Sequence, residues 1–119
     1  MVRIRQHGDN GELYDLNEFL KDIALLCPLD EWHVSVSECL GQCADDVEAI
    51  GASEPASISN DTLCTLYRNI YQTIDGEFVG FRSGNEILRL LAVDSSYWEL
   101  TGPSDLEAAL VRKCGPYAR

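Results

Sequence analysis

The hydrophobic residues of this chain change period several times, and each change marks an element. At 2–5, "VRIR" alternates apolar and basic residues, which predicts a short edge strand, and "HGDNGE" after it reads as a turn. Leu16, Phe19, Leu20, Ile23 and Leu26 then recur at i, i+3, i+4, i+7 and i+10, with Asp15, Glu18 and Asp22 on the other side. That spacing predicts an amphipathic helix, ended by Pro28, whose first turns hold the acids that a helix dipole favours. In "EWHVSVSECL" Trp32, Val34 and Val36 alternate with His33, Ser35 and Ser37, the pattern of a strand with one buried face. "GQCADDVEAIGASEPAS" predicts a helical turn around Asp45 to Ile50 and then a mobile loop. Leu63, Leu66, Tyr67, Ile70, Tyr71 and Ile74 fall on one helical stripe, behind Ser59 or Asn60 as N-cap.

From Gly76 the period returns to two. "GEFVGFR", "EILRLLAV" and "YWELT" are separated by Ser-Gly-Asn and Asp-Ser-Ser, which predicts a three-strand antiparallel meander. Within the last run Trp98 and Leu100 should face the core, and Tyr97 and Glu99 the solvent, with Arg89 or Arg82 across from Glu99. A final helix, "DLEAALVRKC", follows Ser104, which with Glu107 fits a capping box, and Gly115 and Pro116 stop it. Helices bunched between strands predict an α+β fold. Its sheet should be antiparallel or mixed, with the helices packed on one face and residues 1–119 as one domain.

Charge narrows the function. Twenty acidic residues against nine basic ones give a net charge of −11, a field that repels nucleic-acid phosphates and anionic membranes and attracts basic proteins. A basic protein partner is therefore expected, with no direct nucleic acid and no membrane. Cys27, Cys39, Cys43, Cys64 and Cys114 are odd in number and irregular in spacing, with no apolar leader before them and no apolar run of spanning length. A reducing cytoplasm is the expected location, where such thiols act as small hydrophobes.

Catalytic chemistry finds few residues to work with. Cys39 and Cys43 have a gap that zinc sites use, and His33 lies nearby, so a small metal-binding or cysteine-dependent enzyme built on His33, Cys39 and Cys43 is one reading. A second close pair of ligands is missing, however, and Ser95-Ser96 lacks the glycine-flanked elbow of a serine hydrolase. Twenty acids make carboxylate pairs unavoidable by chance. No cofactor, metal or catalytic residue is expected. The carboxylates around the meander, Asp75, Glu77, Asp94 and Glu99, are better read together with Tyr97 as a partner-binding face, because tyrosine supplies rigid contact area and the acids complement arginine or lysine.

"DGEFVGF", "EILRLLAV", "DSSYWEL" and the short capped terminal helix together resemble the C-terminal half of small acidic bacterial immunity proteins of toxin–immunity systems. The resemblance runs from Asp75 onward. It implies a cytosolic inhibitor that binds a toxin, often a cationic nuclease, and occludes its active site or an adjacent surface. The charge balance agrees with an acidic protein-binding inhibitor, not an enzyme. A close variant is a phage or plasmid inhibitor of a nucleic-acid-binding defence complex, in which carboxylates stand in for phosphates.

Overall fold

The computed structural model describes residues 1–52 and 56–118. Among them the chain forms β1 (Val2–Arg5), α1 (Leu16–Leu26), β2 (Glu31–Gly41), α2 (Ala44–Ala49) and β3 (Ala56–Ser59). It continues through α3 (Asn60–Tyr67), β4 (Ile70–Arg82), β5 (Asn85–Val93), β6 (Tyr97–Thr101) and α4 (Ser104–Cys114). The strands make one six-stranded antiparallel sheet in the order β1-β6-β5-β4-β2-β3, so the fold is α+β, and β4, β5 and β6 are the expected meander.

Both meander turns follow from local chemistry. Ser83 and Gly84, between the paired Arg82 and Asn85, both have positive φ, the left-handed pair whose twist suits a two-residue hairpin, and Asp94 and Ser95 repeat that pair within the longer loop between Val93 and Tyr97. Neither Asp94 nor Ser95 is a glycine, and the second turn is fastened from outside. The Asp94 N–H donates to Asp75 Oδ1 at 3.0 Å, and the Ser95 N–H donates to the Ile74 carbonyl at 3.0 Å.

Alternation along the strands sends Trp32, Val34, Phe78, Leu88, Leu90, Ala92, Trp98 and Leu100 to one side, where all are buried. There they meet Leu16, Phe19 and Ile23 of α1, Leu63 and Tyr67 of α3, and Leu106 and Leu110 of α4. Helix α1 packs between α3 and α4, and Lys113 reaches from α4 to Asp22 at 2.7 Å. The short α2 instead packs on β2, with Val47 buried.

Several expectations are corrected. The helix expected to run through Ile74 ends at Tyr67, and Ile70, Tyr71 and Ile74 open the long strand β4. β-branched and aromatic residues favour a pleated surface, and Asn17 Nδ2 fixes the junction by donating to the carbonyls of Tyr67 and Ile70, at 2.6 and 3.0 Å. Ser59 does cap α3, accepting from the Thr62 N–H. Leu66 is only partly buried and Leu26 is exposed, because the helix faces are narrower than their apolar stripes. Part of the expected loop forms the edge strand β3, paired with Glu31–Val34, and residues 53–55 of that loop lie outside the described residues. Ser104 does not cap α4. The N-cap is Pro103, which has no N–H to complete a capping box, and Glu107 Oε2 accepts instead the N–H of the preceding Gly102 at 3.0 Å.

β2 is irregular in its second half, with register shifts on either side of Glu38 and again after Leu40. It ends at Gly41, whose φ is +139° and where an added Cβ would meet the Asn69 carbonyl oxygen and Ile70 Cα. Only glycine allows that crossing. At the opposite edge the chain beyond α4 lies along β1. The Arg5 N–H donates to the Gly115 carbonyl at 3.0 Å, and the Tyr117 N–H donates to the Arg3 carbonyl at 2.9 Å.

Candidate interaction face

Because α1, α3 and α4, and α2 through Val47, pack against one core, the other side of the sheet carries no helix among the described residues, and the ladder registers place its residues in rows. One row runs Arg3, Glu99, Leu91, Glu77, Ser35 across five strands, and the next runs Thr101, Arg89, Val79, His33, Ser57. Phe81 stands beside His33, their ring centroids 4.4 Å apart. Val79, Leu91 and Phe81 make an apolar centre flanked by carboxylates.

The expected site residues are not one assembly. Glu77 and Glu99 share the open face with Tyr97, whereas Asp75 and Asp94 sit at the β5–β6 hairpin end, where Asp75 is spent on the turn. Glu99 pairs with Arg3, its neighbour on β1, at 3.0 Å, rather than with Arg89 or Arg82. Arg89 spans Glu77 at 2.9 Å and Glu86 at 3.2 Å. Tyr97 faces outward but is not bare, since Tyr117 stacks on it with centroids 4.5 Å apart and the Arg3 guanidinium lies 5.4 Å from its ring centre. Trp98 and Leu100 face the core as expected.

The cluster that sequence reasoning passed over is a depression of about 210 Å³ on the open face, lined by His33, Ser35, Glu77, Phe81, Glu86 and Arg89 with Val79 as its floor. Its signal was present in "GEFVGFR", whose alternate residues Glu77, Val79 and Phe81 must share a face. The arginine that bridges the acids could not be chosen without the register.

A second unforeseen feature lies in the core. Asp15 is 4% exposed and stands ahead of α1 rather than on its solvated side. Its carboxylate accepts the Thr73 N–H at 2.7 Å and the Thr73 hydroxyl at 3.0 Å. Tyr67 joins through that hydroxyl at 2.7 Å, and Gln6 Nε2 donates to the Thr73 carbonyl at 2.8 Å. Four elements or their flanks therefore meet at Thr73. Burial pushes the Asp15 carboxyl up to about 6, against the bonds from Thr73 that pull it down. Among the described residues no buried side-chain nitrogen or oxygen lacks a hydrogen-bond partner, so this cluster presents no free polar atom to a ligand.

The metal or thiol reading does not find an assembled site. Among the described residues no three His, Cys, Asp or Glu side chains are grouped to hold a metal ion. His33 lies on the open face, and Cys39 is buried six residues along the strand, about 20 Å at the usual rise. Cys43 is exposed in the turn before α2. Burial, together with Glu48 and Asp15, pushes the Cys39 thiol up to about 11, and burial pushes Cys114 up to about 12. Such thiols stay protonated and are poor nucleophiles. Among the described residues no helix is long and apolar enough to cross a membrane. No family model, no curated protein and no solved structure matches this chain.

Proposed function

We propose that the chain is an acidic protein-binding inhibitor, an immunity-type protein that neutralises a basic protein such as a nuclease toxin by covering its active site or an adjacent surface. The observation that carries this reading is the uncovered sheet face. It offers half-exposed carboxylates (Glu77, Glu86 and Glu99) around an apolar and aromatic centre, in a chain of net charge −11. Flat, mixed surfaces of this kind suit docking, where charge complementarity speeds encounter and central apolar contacts slow release. The C-terminal meander, which the immunity-protein resemblance covers, supplies most of this face.

The test is kinetic. A basic protein captured on the immobilised chain is measured against the parent and against a variant with Glu77, Glu86 and Glu99 changed to lysine. Association with the variant should be slower by roughly tenfold at low ionic strength and converge on the parent at high salt. The fold should change little, because exposed ion pairs contribute about 0–1 kcal/mol each. Unchanged association rates together with a lowered melting temperature would assign these carboxylates to the fold and remove the reading.

A further inference from the structure

We infer that the depression between β2, β4 and β5 is a receptor for an arginine side chain of the basic partner, its two carboxylates at present engaged by the chain's own Arg89 on the pocket wall. The inference rests on the proposed function above and adds to it which residue chemistry the face takes and where. Arg89 demonstrates the fit, since one guanidinium nitrogen meets Glu77 at 2.9 Å while the other meets Glu86 at 3.2 Å. The two carboxylates are thus spaced for a planar fork, which arginine offers and lysine does not. Beside them the His33 and Phe81 rings form a partly exposed aromatic wall over Val79, a surface on which a guanidinium stacks. Without Arg89 this pocket holds two negative charges beside that wall, which is the complement of an incoming cation.

Exchange of one guanidinium for another is feasible because the resident pair is weak. All three side chains are 39–48% exposed, so water screens their attraction. A partner arginine can enter as Arg89 turns out toward solvent, and the number of ion pairs is conserved. The resident arginine then acts as a placeholder that keeps two neighbouring carboxylates from repelling each other in the free protein.

The experiment is an amide NMR titration of the whole chain with two probes, a capped Gly-Arg-Gly tripeptide and nona-arginine. The tripeptide should shift the amides of residues 33–35, 77–81 and 86–89, and its lysine counterpart should shift them less. Arg89→Ala should bind the tripeptide about two- to fivefold more tightly, the range that an exposed ion pair allows. A Glu77→Gln, Glu86→Gln double variant should lose at least that much. Tripeptide shifts confined to other segments, or equal binding by parent and Arg89→Ala, would overturn the assignment of the pocket. If nona-arginine then still binds, for instance at Asp45 and Asp46 of α2, the pocket assignment falls while the basic-partner reading stands. If neither probe binds anywhere at low ionic strength, both fall.

Discussion

Trp98→Ala should destabilise the protein by about 3–5 kcal/mol, the range for removing a large aromatic from a close-packed interior. Trp98 is wholly buried and stands at the centre of the aromatic cluster. Phe19 of α1 meets it edge-on at 5.1 Å, Phe78 of β4 lies at 6.1 Å, and its Nε1 donates to the Tyr14 carbonyl at 3.1 Å. The substitution removes one of the contacts that hold α1 to the sheet and leaves the Tyr14 carbonyl without its donor. Against a total stability of about 5–15 kcal/mol for a domain of this size, the loss is a large share. Urea denaturation of parent and variant measures it. A cost under about 1 kcal/mol would mean that the helix layer is not held through this residue.

Acidification should stabilise the fold through Asp15, which is the reverse of what carboxylates in ion pairs do. Its carboxyl titrates near 6 in the native state against 3.8 for the ordinary group, because burial disfavours the anion and no cation is among the groups that shift it. Its neighbours Tyr67 and Cys39 bring no positive charge. A raised carboxyl pKa means that the native state holds a proton the unfolded chain has released. The associated stability is therefore complete below pH 3.8, declines as pH rises, and is gone above about 6. The full swing is about 3 kcal/mol at roughly 1.4 kcal/mol per pKa unit. Asp15→Asn keeps the shape and cannot ionise. The stability difference between parent and variant should change by up to that amount across the window from 3.8 to about 6, and denaturation series at several pH values read it directly. A difference that stays level with pH would show that the Asp15 carboxylate is ionised throughout and fully compensated by Thr73.

Much of this architecture was legible in the chain because periodicity reports faces. Trp32, Val34 and Val36, and later Trp98 and Leu100, announced their burial by strict alternation, and Leu16, Phe19 and Ile23 did so by helical spacing. Where the signal failed, two periods overlapped. Leu63, Leu66, Tyr67, Ile70, Tyr71 and Ile74 fit one helical stripe, yet the last three belong to a strand, and the switch depends on Asn17, fifty residues away from Tyr67, bonding the junction. Asp15 was unreadable for a related reason. A carboxylate opposite a helix's apolar stripe is expected in water, and only the tertiary position of Thr73 draws it inward. On the open face the sequence indicated which residues point outward, but partners across strands depend on register, so Arg3 rather than Arg89 or Arg82 neutralises Glu99.

The strip of chain beyond α4 that runs along β1 has a consequence for the order of assembly. β1 is made well before its partners on both sides, with Val2 in register with Leu100 and Tyr117 bonded to Arg3. During translation that strand has no neighbour, and the meander can form without it. Closing the sheet at this edge therefore waits until residue 117 has been made, and it joins Val2 to Leu100 and Arg3 to Tyr117 across the intervening chain. Loop-closure entropy must be met before those contacts form, so this edge should close more slowly than the local meander. Until then Ile4 is exposed on an unpaired strand, and the nascent protein is at its most vulnerable to association with its own copies.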